Sequence, residues 1–422
     1  MENYMIVERI YFYTNGKGEQ IVSVSLVTSL NYARMCLVLF RRDEKKLEKI
    51  YLDHAATTPM HPFVIQEMTK MMQETFGNPS SIHGFGRIAH EKLETARHII
   101  ADSLQVNDHE IIFNSGGTEG DNTVILETAF SRKKAGNHLI TTAIEHPAVL
   151  NTMKFLETKG FEVTYLPVDE KGHISLEDLE EALNEKTILV SIMFGNNEIG
   201  NLMPIKEIGE RLRKHPAYFH TDAVQAYGNQ TIHPNELGID LLSVSAHKIN
   251  GPKGVGFLYK KDGITLPSLL IGGEQEEKRR AGTENLAGIW GMAQAVSILT
   301  AEERQARNKK YEEFQQLILD TLDKEGIAYQ VNGDLKNKLP HVLNLRLPGV
   351  MNDLLLMKLD LNGLAISTGS ACTAGNIEPS HVLEAMYGKE TPILKESIRI
   401  SFGYGNTKEE IKHFLDILLQ SI

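Results

Sequence analysis

From Ile50 to the C-terminus, short apolar runs alternate with amphipathic stretches, and this alternation narrows the fold more than any other feature of the chain. It is the pattern of β-α units wound around a mostly parallel sheet. The spacing predicts strands over His138 to Ile144, Phe161 to Leu166, Ile188 to Phe194, Tyr218 to Thr221 and Asp240 to Ser245. The third of these is apolar nearly throughout, as expected of a strand covered by helices on both faces. A half-exposed antiparallel strand would alternate instead.

Helices are equally legible. Pro204 sits where a first-turn proline belongs, and Ile205, Ile208 and Leu212 follow at helical spacing. Ser175 starts another helix, with Leu176, Leu179 and Leu183 on one face. A long charged helix is predicted from about Ala301 to Glu325, stopped by Gly326, after which the order of elements changes and a smaller terminal domain begins. Thr407-Lys408-Glu409-Glu410 spells a capping box ahead of Ile411, Phe414, Leu415 and Leu418. The expected division is an N-terminal extension over residues 1–48, a large domain over 49–300, whose first residues pack with the small domain, and a small domain over 301–422.

With 422 residues, 41% of them hydrophobic, the chain is long enough for two or three domains at about 150 residues each. Lys and Arg total 44 against 55 Asp and Glu, a formal charge of −11, which argues against direct nucleic-acid binding by bulk phosphate neutralisation. No run of about 18 apolar residues is present, so no membrane span is expected, and the opening residues lack the basic region of a signal peptide. The two cysteines, Cys36 and Cys372, are too few for a Cys-rich metal site or a disulfide framework, and fit a reducing, cytoplasmic compartment.

In open α/β sheets ligands bind where strands end. After Ile111-Ile112-Phe113 comes Asn114-Ser115-Gly116-Gly117-Thr118-Glu119, where two glycines let the backbone approach a ligand and the following helix offers free N–H groups to an anion. The same run also reads as an ordinary turn and helix cap. After Tyr218-Phe219-His220-Thr221 comes Asp222, with the amide of Gln225 one helical turn on. A buried carboxylate there needs a cationic partner, although a capping Asp is the bland alternative. After Leu241-Leu242-Ser243-Val244-Ser245 come Ala246, His247 and Lys248, and a lysine arriving directly off a buried strand suits Schiff-base chemistry, whereas Lys253 suits a surface loop. The glycine-rich tail that follows lacks Walker A spacing.

Taken together, Tyr51-Leu52-Asp53-His54-Ala55-Ala56-Thr57-Thr58-Pro59, Gly77-Asn78-Pro79-Ser80-Ser81-Ile82-His83, Glu145-His146, Asn196-Asn197-Glu198-Ile199-Gly200, Ser245-Ala246-His247-Lys248, Arg280-Ala281-Gly282-Thr283 and Gly369-Ser370-Ala371-Cys372 resemble the cysteine desulfurases of the nitrogen-fixation and iron–sulfur-cluster type. These are pyridoxal-phosphate enzymes of the class V aminotransferase group. The resemblance runs from about Ile50 to the C-terminus. It implies an α/β fold of type I among pyridoxal-phosphate-dependent transferases, with a large domain around a central, mostly parallel sheet and a smaller α/β C-terminal domain.

Position by position, the resemblance implies that Lys248 forms the internal aldimine and moves protons at the substrate carbons. Asp222 pairs with the pyridinium nitrogen, His146 stacks on the ring and assists proton transfer, and Gln225 bonds the phenolic oxygen with Asn197 beside it. Gly117, Thr118, Ser245 and His247 take the phosphate, and Thr283 reaches over from the neighbouring subunit, which implies a homodimer. Arg399, with Asn197, binds the substrate carboxylate. Cys372, in a run of small residues suited to movement, attacks the sulfur of bound L-cysteine, leaving a persulfide on the enzyme and releasing L-alanine.

The partners implied are L-cysteine and a sulfur acceptor, either an iron–sulfur scaffold, with Cys372 as a transient cluster ligand, or a tRNA-thiolation enzyme. Gly117 stands where many relatives carry Ala, and Met203 where Gln is common. Residues 1–48 are the larger departure, either an added partner surface or residues ahead of a later start such as Met35. The rivals are a selenocysteine lyase or other class V enzyme, which needs no mobile thiol, and a non-catalytic sulfur-carrier platform, which needs no Lys248.

Overall fold

The computed structural model describes residues 10–14, 20–24, 49–368 and 379–422. Residues 1–48 form one unit and residues 49–422 another. In the first, β1 (Ile10–Thr14) and β2 (Gln20–Val24) pair antiparallel, Ile10 opposite Val24 and Thr14 opposite Gln20.

The second unit is built on a seven-stranded sheet in the order β4-β10-β9-β8-β7-β5-β6. Its strands are β4 (Ile111–Asn114), β5 (His138–Thr142), β6 (Glu162–Leu166), β7 (Thr187–Ser191), β8 (Tyr218–Asp222), β9 (Leu241–Ser245) and β10 (Gly256–Lys260). β9, β8, β7, β5 and β6 run parallel, and β10 lies antiparallel between β4 and β9. Every residue of β5, β7 and β9 is buried, as a strand covered on both faces requires.

The expected strands over 138–144 and 188–194 stop early, at Thr142 and Ser191. The reason for the second lies in its backbone partners. The N–H of Met193 bonds the carboxylate of Glu145 at 3.0 Å in place of a neighbouring strand, while that of Phe194 still reaches β8 at the carbonyl of Asp222, 2.8 Å away, so regular pairing is lost on one side only.

Helix boundaries follow local chemistry. Ser175 caps Leu176–Ala182 through its hydroxyl, Thr300 caps Ala301–Lys324, and Gly326 ends that helix at φ +68°. Thr407 and Glu410 form the reciprocal capping box of Lys408–Ser421. Pro204 stands at the N-cap of Ile205–Leu212, one position ahead of the expected first turn, and Ile205, Ile208 and Leu212 are buried. No helix among the described residues is long and apolar enough to cross a membrane.

C-terminal to the sheet, β11 (Gln330–Val331), β12 (Val342–Arg346) and β14 (Ser397–Ser401) make a second, antiparallel sheet. β3 (Ile50–Tyr51) pairs in parallel with β13 (Leu364–Ala365). Ile50 and Leu52 accordingly pack into an apolar cluster with Phe314, Leu343, Ile398 and Phe414, separate from the clusters around the seven-stranded sheet. The segment after Tyr51 then passes over the ends of β8 and β9, where the polar residues gather.

Candidate active site

β4 ends at Asn114, whose Oδ1 accepts the N–H of Gly116 at 3.0 Å. Gly116 has φ +141°, a conformation open to glycine, and it turns the chain into the helix Gly117–Ser131. A Cβ on Gly117 would lie 2.6 Å from Cγ2 of Val224, so the smallest residue lets the helix start close against the turn after β8. Gly117 and Thr118, the first two residues of the helix, line a cleft of about 600 Å³ together with Ser245 and His247 from the end of β9. A helix N-terminus with its unpaired N–H groups, a hydroxyl on either side and an imidazole make an anion cradle. His247 is held by Thr57, its Nδ1 being 3.1 Å from the Thr57 hydroxyl, and burial beside Lys248 pushes its pKa down to about 4.

Lys248 closes a single 3-10 turn, Ala246–Lys248, directly after β9. Its Nζ donates to the carbonyl of Ala55 at 2.5 Å and to that of Ala56 at 2.8 Å. The amine is therefore held at the cleft wall by the chain that follows β3. Gln225 also donates to the carbonyl of Ala55, at 2.9 Å. It follows Asp222 in a single turn closed by bonds from the N–H groups of Ala226 and Tyr227 to the carbonyl of Ala223. Asp222 is buried at 6% exposure, and its Oδ1 accepts the N–H of Val224 at 2.9 Å. Burial pushes its carboxyl above the usual range, against the pull of His146 and Lys248.

His146 is the N-cap of Pro147–Glu157, its Nδ1 accepting the N–H of Ala148 at 3.1 Å. In the neutral ring the proton therefore sits on Nε2. Burial lowers its pKa, with Asp222 opposing that shift.

Arg399, in β14, is 2% exposed. It donates to Oδ1 of Asp53 at 2.8 Å and to the carbonyl of Asn197 at 3.0 Å, and still lines the cleft with Asn197. Ser367 pairs with Arg399 through both backbone groups. On the far side of residues 369–378, the hydroxyl of Ser380 bonds Glu198, and Nε2 of His381 lies 2.8 Å from the carbonyl of Glu145. Cys372 lies outside the described residues, as does Cys36. Thr283 does not line this cleft. It is exposed, in a depression shared with Arg280 and Gly254.

The sequence pattern of the family described as Aminotransferase class-V matches residues 50–414. The chain belongs to this family. Among its class-V relatives, a protein of Bacillus subtilis (strain 168) provisionally named cysteine desulfurase IscS 1 is 54% identical over 88% of this chain and 99% of its own length. A cysteine desulfurase IscS of Clostridium botulinum is 44% identical over 88% of this chain and 94% of its own. A solved structure described as a NifS-like protein superposes with a TM-score of 0.82 at 37% identity, covering 88% of this chain and 98% of that one. Another, described as SspA in complex with cysteine, gives 0.74 at 36% identity over 83% of this chain and 98% of that one. This class-V chain is thus a cysteine desulfurase by kinship and an α/β protein of the NifS-like fold, and class-V desulfurases are pyridoxal-phosphate enzymes.

Two buried carboxylates of this class-V site were missed by the sequence reading, and one of them, Asp121, also lines the cleft. Asp121, one turn into the helix Gly117–Ser131, is fully buried, and its ligand atom lies within 4.8 Å of those of His146 and Asp222. Burial and the Asp222 charge push its carboxyl well up. This trio is the one group of metal-ligating type among the described residues. Glu145 is also fully buried, accepting the Thr142 hydroxyl at 2.7 Å and the N–H of Met193, and burial raises its pKa to about 8. The helical spacing of Asp121 from Gly117 was the available signal. Nothing local pointed to Glu145 beyond its place next to His146.

Proposed function

We propose that this protein is a pyridoxal-phosphate-dependent cysteine desulfurase that takes sulfur from L-cysteine onto Cys372 and releases L-alanine. The observation that carries this reading is the convergence, in one cleft, of an amine at a strand end, a buried carboxylate, a helix N-terminus and a buried guanidinium. That donor set fits the cofactor: a cradle for its phosphate, an amine for its aldehyde, and an acid whose raised pKa marks the want of a cation such as a protonated ring nitrogen. Bound there, pyridoxal phosphate supplies an aldehyde and an electron-accepting ring.

The chain's own residues then divide the work. Gly117, Thr118, Ser245 and His247 hold the phosphate, and Thr283, exposed on its own protomer, serves the neighbouring one. Asp222 holds the proton on the ring nitrogen, and Gln225 donates to the phenolic oxygen. Lys248 would hold the aldehyde and carry protons at the substrate carbons, with His146 as a second proton carrier. Arg399 and Asn197 bind the substrate carboxylate, for which a planar fork is suited.

The Cys372 thiolate attacks the substrate sulfur. One C–S bond breaks as one S–S bond forms, and the carbon left behind takes the electron pair and a proton to become the methyl group of alanine. In the sequence, Cys372 is five residues past Ser367, which pairs with Arg399. The persulfide then passes to an acceptor, an iron–sulfur scaffold or a tRNA-thiolation enzyme, and Cys372 serves a scaffold as a transient cluster ligand. The second apolar cluster, running from Tyr311 to Leu418 with Ile50 and Leu52 joined to it, supports a division of labour near residue 300. Two cysteines in the whole chain support a reducing, cytoplasmic setting.

The test is incubation of purified protein with pyridoxal phosphate, L-cysteine and a reductant, measuring alanine and sulfide together. Equal amounts are expected. Alanine formation that survives Cys372→Ala unchanged would favour another class-V reaction.

A further inference from the structure

Behind the cleft, the side chain of His341 lies 3.4 Å through Nε2 from Oε1 of Gln225, both residues being buried at 6% exposure. Gln225 and Lys248, with His54 and His341, also line a second, small cavity of about 30 Å³, so the two former side chains form a shared wall between it and the cleft.

The orientation of the Gln225 amide follows from its neighbours. The carbonyl of Ala55 can only accept, and it receives Nζ of Lys248 at 2.5 Å. The Gln225 atom 2.9 Å from that same carbonyl is therefore the nitrogen, because the reversed amide would set oxygen against oxygen. Oε1 then faces His341, and a bond between them requires the imidazole proton on Nε2. Burial keeps the ring neutral, and the charged or titratable groups acting on it, His54, Lys248, Lys338 and Arg399, all of them bases, push the same way, so that its pKa falls to about 3. A neutral ring with one N–H is a directional donor across the pH range in which an enzyme works.

Resting on the pyridoxal-phosphate reading above, we infer that His341 is a positioning residue, donating from Nε2 to Gln225 so that the amide's remaining N–H is aimed into the cleft at the cofactor's phenolic oxygen. Gln225 is clamped at both ends, by the Ala55 carbonyl at its nitrogen and by His341 at its oxygen. Removing the second clamp frees the amide to rotate and spreads its donor over several directions.

The experiment reads the pH midpoint of the visible absorbance band of the protein loaded with pyridoxal phosphate, and the dissociation constant of pyridoxal phosphate from the apoprotein. It compares wild type, His341→Leu, His341→Gln, Gln225→Ala and the double variant His341→Leu/Gln225→Ala. The expected result is a midpoint displaced by about half a pH unit or more and several-fold weaker binding in His341→Leu, near-wild-type values in His341→Gln, which keeps an N–H donor, and no further displacement in the double variant over Gln225→Ala. A band that titrates as wild type in His341→Leu overturns the inference, as does a His341→Leu effect that persists undiminished in the Gln225→Ala background. Should Leu prevent folding, His341→Asn, whose shorter amide falls short of Gln225, is read in its place with the same two outcomes. Absence of any visible band in the wild type overturns the cofactor reading, and this inference with it.

Discussion

A single amine on a 3-10 turn meets the carbonyls of Ala55 and Ala56, and its replacement shows how far chemistry and stability separate here. Lys248→Ala is expected to abolish alanine production while keeping the melting temperature within a few degrees of wild type, since it removes a half-buried anchor and not a core side chain. At Arg399 the geometry is a fork, one nitrogen on Asp53 and another on the carbonyl of Asn197. Arg399→Lys keeps the charge but not the fork, so KM for L-cysteine is expected to rise about 10-fold or more, with a smaller change in kcat. Glu145 carries a pH dependence of the cofactor-free protein. Its folded pKa, raised by burial to about 8, lies above the unfolded value, so its contribution is fully present below about pH 4.5 and is lost as pH rises through 8. Denaturant titrations of wild type against Glu145→Gln should show the difference moving toward the variant by up to about 1.4 kcal/mol per pH unit across that window. Lys248 and Asp222 were legible because each is a charged residue at or directly after the end of a buried strand, an arrangement that costs free energy unless a partner is present, whereas Arg399 was named through the family resemblance alone. His341 was not legible, since its meaning lies in a contact with Gln225 about a hundred residues away, and Asp121 had only its helical spacing from Gly117 to mark it.

Among the elements, the loop that carries Thr283 is held by a contact no periodicity announces. Glu276, Glu277 and Lys278 take φ of 47°, 54° and 67°, three successive non-glycine residues in the left-handed region. Such a turn persists where its surroundings over-determine it. Here Arg97, from the helix Gly84–Leu104, grips the Glu276 carboxylate with two nitrogens at 2.8 Å each, and the N–H of Phe113 adds a third bond at 2.9 Å. Four residues further on, Arg280 pairs with Glu119 at 2.9 Å, tying the same loop to the helix that begins at Gly117. Arg97→Ala leaves the Glu276 carboxylate buried without its cation, and a loss of about 3–5 kcal/mol in chemical denaturation is expected. Strand and helix types were readable from apolar period and capping residues, as at Ser175 and Thr407. Strand ends were less so, because Met193 finds its partner in Glu145 and not in a neighbouring strand.

For the whole molecule, the surface around the first two helices of the larger unit is the feature that asks for a partner. Ile82 is 92% exposed and Phe76 73%, with Phe63, Ile65, Met72, Phe85 and Ile88 also exposed on or beside the helices Pro62–Glu74 and Gly84–Leu104, and Ile271, ahead of the loop that carries Thr283, is 95% exposed. If Thr283 serves a neighbouring subunit as proposed, a second copy of the chain would cover this surface. The protein is expected to sediment as a dimer, and Ile82→Asp with Ile271→Asp to shift it to the monomer and weaken pyridoxal-phosphate binding. A wild-type monomer that binds the cofactor fully would remove Thr283 from the site.

By itself, the order of residues determined the α/β character, the strands that lead to the site and the identities of the groups standing at their ends, because apolar period, capping and the cost of burying charge all act over a few positions. The tertiary structure alone decided which of those groups share a cleft, that the carbonyls of Ala55 and Ala56 hold Lys248, and that Thr283 stands apart from that cleft. It also decided which way the Gln225 amide faces. These depend on directional contacts between residues far apart in the chain, and such contacts leave no local pattern to read.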